Sequence, residues 1–152
     1  VIRIMPNINA TVLEAMSAYC CSESVTDDQK EFVNKLCSSF GKVMPLSESY
    51  FPLFCSIAGC APAYAYMFID SLARSAVKNG MNKSVALEIA AQTVLGSAKK
   101  ILESDEHPWE LIDKVCSPGG TTIEGVVSLQ KDGFESAVCN AVDAALQKDK
   151  KV

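Results

Sequence analysis

The chain has 152 residues, 49% hydrophobic and 21% charged, with a net charge of −4. That is enough apolar material for one folded domain and excludes a disordered segment. The acidic balance, without a block of Lys and Arg, excludes a nucleic-acid surface. Polar or charged residues interrupt each apolar run, so no membrane-spanning stretch is expected, and no signal-peptide pattern opens the chain.

Val1-Ile2-Arg3-Ile4-Met5 reads as a short strand ended by Pro6 and Asn7. The chain starts on Val1 and enters this strand without a lead, which predicts that the front of a longer protein is missing. Residues 12–21 alternate loosely and are compatible with a second strand. Thr26 suits a helix N-cap, with Asp27 and Asp28 in the positive first turn. Phe32, Val33, Leu36 and Phe40 form that helix's apolar stripe, and Gly41 stops it. Lys42 to Leu46 reads as a third strand.

From Ser47 the character turns helical. Residues 49–58 make a first apolar segment, which Gly59-Cys60-Ala61-Pro62 is expected to interrupt. Ala63 to Lys78 is apolar nearly all round, so burial on several sides is expected. Asn79-Gly80 ends it. Asn82 caps a helix running to about Glu103, with Val85, Ile89, Val94, Ala98, Ile101 and Leu102 expected on its inner face. His107-Pro108 starts a short helix, where the histidine reads as structural or solvent-facing. A helix over 123–131 follows, then Gly133, then a last amphipathic helix with a solvated lysine tail. The fold class is mainly α, behind a short β/α front. The apolar surplus of the helical part exceeds what its own helices cover, which predicts a second copy packed on it.

Between two of these helices lies Ser117-Pro118-Gly119-Gly120-Thr121-Thr122-Ile123-Glu124. The glycines permit a sharp turn, and Thr121 with Glu124 fits a capping box. A helix start of this kind suits a small anion such as a carboxylate. On composition alone an ordinary helical corner is the commoner meaning of such a box. The seven cysteines (Cys20, Cys21, Cys37, Cys55, Cys60, Cys116 and Cys139) include no C-x-x-C pair, and His107 is the single histidine. A zinc site is not expected, and free core cysteines in a reducing cytoplasm are.

Four stretches together carry a resemblance: Arg3-Ile4-Met5-Pro6-Asn7, Ala61-Pro62-Ala63-Tyr64, Ala91 to Lys99, and Ser117 to Ile123 followed by Gly133-Phe134. In order and spacing they resemble the C-terminal part of Δ1-pyrroline-5-carboxylate reductases, across essentially the whole chain. The resemblance implies an N-terminal Rossmann domain that binds NADPH or NADH, and an all-α domain that interlocks with a second subunit as a homodimer, often in larger rings. Residues 1–46 would be the remnant of the Rossmann domain, and 47–152 the dimerisation and substrate-binding domain. No G-x-G-x-x-G phosphate loop occurs in the chain.

The implied small-molecule substrate is 1-pyrroline-5-carboxylate, reduced to proline. By motif position its carboxylate would be held by Ser117, Gly120, Thr121 and Thr122, with Thr122 also near the ring nitrogen as the candidate catalytic residue. Asn7 would lie toward the nicotinamide. The chain departs from the family pattern where Ile8-Asn9 follows Asn7 in place of Thr-Pro, and where Cys60 and Ala61 replace a serine and a glycine. No nucleic acid and no membrane partner is expected. A second reading stays open, a homodimerising scaffold without catalysis. Without the nucleotide-binding half, the chain by itself is expected to be inactive.

Overall fold

A computed structural model describes residues 1–149. Strands β1 (Ile2–Met5), β2 (Ala15–Cys21) and β3 (Gly41–Pro45) form one sheet in the order β1-β2-β3. β1 runs antiparallel to β2, with Ile2 opposite Cys21, and β3 runs parallel to β2, with Ser17 opposite Val43. Among the described residues β1 pairs on one side only. Helix α1 (Asp27–Ser38) bridges β2 and β3. Thr26 caps it in a full capping box: its hydroxyl accepts from the Gln29 amide at 3.4 Å, and the Gln29 side chain accepts from the Thr26 amide at 3.0 Å.

Because side chains alternate along a strand, the register sorts the sheet into two faces. Tyr19 is buried against Val33 and Cys37 of α1, with Ile2, Cys21, Phe40 and Val43 around them. On the opposite face Ala18 is buried, and Arg3 lays its guanidinium 4.6 Å from the centre of the fully buried Phe51 ring. Arg3 also donates to Glu48 at 3.0 Å. Gly41 is required by close approach: a Cβ there would lie 2.2 Å from the Ala15 carbonyl oxygen, and its φ of +151° disfavours L side chains.

The helical part begins with a 3-10 turn at Glu48–Tyr50, then α2 (Phe51–Phe54), a π turn at Cys55–Gly59, and α3 (Ala61–Lys78). The expected interruption at residues 59–62 is therefore corrected to a widened turn, in which the Cys60 amide donates to the Cys55 carbonyl at 3.0 Å. Pro62 has no N–H to return to Ala58, four residues back, and the Asn7 side chain supplies that donor at 2.9 Å. With the helical run unbroken, Glu48–Lys78 is 31 residues long and apolar enough to cross a membrane on length and composition alone. The expectation that no stretch qualifies is corrected accordingly.

Helices α4 (Lys83–Glu103), α5 (Pro108–Val115), α6 (Thr121–Lys131) and α7 (Phe134–Asp149) complete the chain. Asn82 caps α4, accepting from the Ser84 amide at 2.9 Å. His107 caps α5: its Nδ1 accepts from the Trp109 amide at 3.2 Å, while Glu110 accepts from the His107 amide at 3.0 Å. The lysine tail is described through Lys148, and Lys150 and Lys151 lie outside the described residues.

The described residues divide into two compact units, one of Val1–Tyr64 with the C-terminal segment from Cys139, the other Ala65–Val138. In the first, the Tyr64 hydroxyl donates to the Ala141 carbonyl at 3.4 Å. In the second, α3 meets α4 through Ala73, Ala86 and Ala90, flanked by Ile69 and Ala76. The inner face of α4 is thus made of alanines, a correction to the expected one. Val85, Ile89, Ile101 and Leu102 are exposed, because the small residues set the helix spacing and leave the large ones outside it. The expected all-round burial of 63–78 is likewise not met within the chain, where Tyr66 and Met67 are exposed. Phe68 and Phe134 pack with ring centres 5.9 Å apart.

Candidate functional site

The turn between α5 and α6 is built by residue chemistry. Pro118 fixes its own φ, and Gly119 takes a φ of +68° that a side chain would resist. The Gly120 amide donates to the Ser117 carbonyl at 2.9 Å, closing a four-residue turn with proline second and glycine third. That is the residue pattern of a type II turn.

Gly120, not Thr121, is the N-cap of α6, with extended backbone (φ −79°, ψ 167°) and no side chain to cap the helix. The expected capping box of Thr121 with Glu124 is therefore absent. The turn ends one residue sooner than the box pattern assumes, so Thr121 becomes the first helical residue. The amides of Thr121, Thr122 and Ile123 begin a helix and have no intrahelical acceptor. They point out of the positive end of an 11-residue helix. Ser117, Thr121 and Thr122 are all exposed. Glu124, in the same first turn, is the one acid that opposes an incoming anion.

Ser117 is held close. A Cβ built on Gly120 would meet the Ser117 Oγ at 2.3 Å and its carbonyl oxygen at 3.1 Å. The hydroxyl is thus folded back across the mouth of α6, in space kept open by Gly120. The Gly120 amide is spent on the turn, so this glycine contributes room rather than a donor. Ser117, Gly120, Thr121 and Thr122 are brought together as one cluster: a hydroxyl, a bare Cα, and a row of helix-start amides with two more hydroxyls. Chemically, an arrangement of this kind can accept hydrogen-bonding oxygens of a small anion.

Asn7 belongs to the other unit. Its Oδ1 accepts from the Met16 amide at 3.2 Å, and its Nδ2 donates to the Ala58 carbonyl at 2.9 Å. One Nδ2 hydrogen remains, because an amide carries two. Sequence reasoning placed Asn7 by motif and missed this bracing role. The signal was present in Pro62, whose missing N–H orphans a carbonyl that something must satisfy.

The family description "Pyrroline-5-carboxylate reductase dimerisation" matches residues 48–152. Pyrroline-5-carboxylate reductases from Synechocystis and Escherichia coli are each 40% identical to the chain over 152 residues, its whole length, against 57% and 56% of their own. The chain thus spans a little over half the length of these curated relatives. The crystal structure of 1-pyrroline-5-carboxylate reductase from Streptococcus pyogenes is similar with a TM-score of 0.94 and 42% identity, over 99% of this chain and 58% of that one. Pyrroline carboxylate reductase from Plasmodium falciparum, solved with NADP bound, gives a TM-score of 0.92 and 37% identity, over 99% of this chain and 60% of that one.

Proposed function

The chain belongs to the pyrroline-5-carboxylate reductase family, and on that premise we propose that it is the substrate-holding, dimer-forming part of an NAD(P)H-dependent reductase. The reaction is reduction of the C=N bond of 1-pyrroline-5-carboxylate to give proline. The observation that carries this reading is the Ser117–Thr122 cradle: exposed, uncapped by any side chain at the start of α6, and shaped for a carboxylate.

The substrate's acid group accepts from the Ser117 hydroxyl and from the Thr121 and Thr122 amides. Its ring then stands at the helix mouth. The Thr122 hydroxyl orients the imine nitrogen by hydrogen bonding, with water relaying the proton, since a threonine hydroxyl is too weak an acid to give up its own. A dinucleotide held mainly by the other half would supply the hydride for the imine carbon. The remaining contribution from this chain is positioning.

Asn7 fits the dinucleotide in a limited way, with the single amide hydrogen left after it braces Ala58 and Met16. The chain contains no phosphate-binding glycine loop, so the dinucleotide-binding half comes from sequence the chain does not include. Homodimerisation is supported by the exposed apolar side chains of α3 and α4, and rings of such dimers belong to the same reading. A reducing, cytoplasmic setting agrees with seven free cysteines.

The test joins the chain to the nucleotide-binding half of a relative. The chain alone should not oxidise NADPH in the presence of 1-pyrroline-5-carboxylate, and the joined protein should. In the joined protein Thr122→Ala should lower the rate about ten- to a hundredfold, as for loss of one hydrogen bond to a charged or reacting group, with the dimer intact. An unchanged rate reduces Thr122 to a helix-start residue. Dimers without turnover in the joined protein favour the scaffold reading.

A further inference from the structure

The π turn at Cys55–Gly59 places two thiols together that the reductase reading does not use. On an α-helix, residues five apart do not face one another, since neighbours there are three and four apart. Here the Cys60 amide reaches back to the Cys55 carbonyl at 3.0 Å, so the hydrogen-bonded turn closes over five residues instead of four. Cys60 therefore stands one turn above Cys55, in the relation that i and i+4 have on an ordinary helix. Cys55 directs its sulfur toward that next turn: its Sγ lies 3.3 Å from where a Gly59 Cβ would be. Both cysteines are free and half-buried. Gly59 leaves the space between them unobstructed.

We propose that Cys55 and Cys60 are a dithiol modification site, which a peroxide oxidises to an intramolecular disulfide that locks the π turn. The balance is simple. The Cys60 sulfur attacks one peroxide oxygen, the O–O bond breaks, water leaves, and Cys60 becomes a sulfenic acid. The Cys55 sulfur then attacks the Cys60 sulfur, the S–O bond breaks, and the departing hydroxide takes the Cys55 proton as a second water. Two thiols lose two electrons and two protons, and one peroxide is reduced to two waters.

Burial pushes the Cys55 thiol up from its ordinary pKa, and the adjacent Cys60 adds to the effect. In this scheme Cys60 reacts first and Cys55 is the resolving partner. Side chains one turn apart begin with about 5–6 Å between Cβ atoms, and a disulfide requires about 3.8 Å. Closure therefore draws the turn inward. The turn holds the Ala58 carbonyl to which Asn7 is tied, so the lock is felt at the end of β1. Cys60 stands where the family pattern carries serine, which makes Cys60→Ser the natural control.

The sequence makes the test clean. Cleavage after Lys and Arg releases residues 43–74 as one peptide, whose only cysteines are Cys55 and Cys60. The folded chain is treated with hydrogen peroxide, its remaining thiols are alkylated, and the peptide is weighed. The expected result is a peptide that escapes alkylation, is lighter by a pair of hydrogens, and is restored by dithiothreitol. Cys60→Ser should abolish that species. Alkylation at both cysteines, oxygen added to one without closure, or either residue linked to a different cysteine would each overturn the proposal. The unsubstituted chain decides the matter even if the variant fails to fold.

Discussion

The two units of the chain are stabilised in different ways. The front unit buries whole side chains: Tyr19, Val33 and Cys37 between sheet and α1, and Phe51 beneath Arg3 on the other face. The cap of α1 at Thr26 and the close approach at Gly41 are completed from within. The helical unit buries three alanines, Ala73, Ala86 and Ala90, and leaves Met67 71% and Leu102 67% exposed. Each large apolar side chain left in water forgoes about 1.5–3 kcal/mol. The front unit has a core of large side chains of its own although Phe32 and Leu13 stay exposed, whereas the helical unit has only small residues in its core and a surface that makes physical sense when something apolar lies against it.

Removing Phe51 tests the first half of this contrast most severely. Phe51→Ala empties a site with no solvent exposure, and should cost about 3–5 kcal/mol of stability in a denaturant titration. A much smaller loss would mean that the front unit is not held by its own core. Gly41→Ala should cost about 3 kcal/mol, because its Cβ meets fixed backbone of Ala15 at a strained φ. Gly120→Ala makes an informative counterpart. The severe clash there is with the end of the Ser117 side chain, which can swing aside, and the Ser117 carbonyl oxygen at 3.1 Å has only to give slightly. It should leave stability almost unchanged and displace the hydroxyl from the cradle, so the loss appears as weaker substrate binding in the joined enzyme.

The second half of the contrast is broken by charge. Met67→Lys should retain helix content by circular dichroism and weaken self-association by about 1.5–3 kcal/mol per protomer, roughly tenfold or more in the dissociation constant. Sedimentation that stays unchanged would remove the exposed face of α3 from the interface.

The smallest effect concerns Asp70, which hydrogen-bonds to Arg74 and reaches Lys83 at 3.3 Å. The hydrogen bond from Arg74, aided by Lys83, holds its carboxyl below the usual range against some opposing burial. A lowered folded value means the pair's contribution is present at neutral pH and is lost as the pH falls through that value, below about pH 4. The group is exposed, so the loss is slight. Asp70→Asn should flatten that acid limb of the melting profile, and an unchanged limb would show that the pair is decorative.

Much of this architecture was legible from local chemistry. Thr26 announced α1, and Asn82 announced α4, because their side chains satisfy amides that nothing else reaches. The alternation in residues 15–21 and the arrest at Gly41 marked the sheet. Pro62 misled, since a proline reads as a stop when the preceding turn is assumed to be α. The π turn absorbs it, and that depends on a donor 51 residues away at Asn7, which no local window contains. The site motif was legible as a cluster. Its cap was misassigned because Thr121 and Glu124 satisfy the box pattern, whereas the proline–glycine turn fixes the helix start one residue earlier. The alanine face of α4 was hidden because periodicity ranks large residues above small ones, although close helix contact favours the small.

β1 has a further consequence for anyone handling the chain. Its outer side presents a row of backbone donors and acceptors with no strand beside them among the described residues. Ile4 is exposed on this short ribbon, and the one charge between Ile2 and Met5 is Arg3, which is engaged with Glu48. Two molecules meeting there would zip margin to margin. For the 152-residue chain by itself in concentrated solution, gelation or fibre growth should begin from this seam, and a lysine placed at Ile4 should quench it.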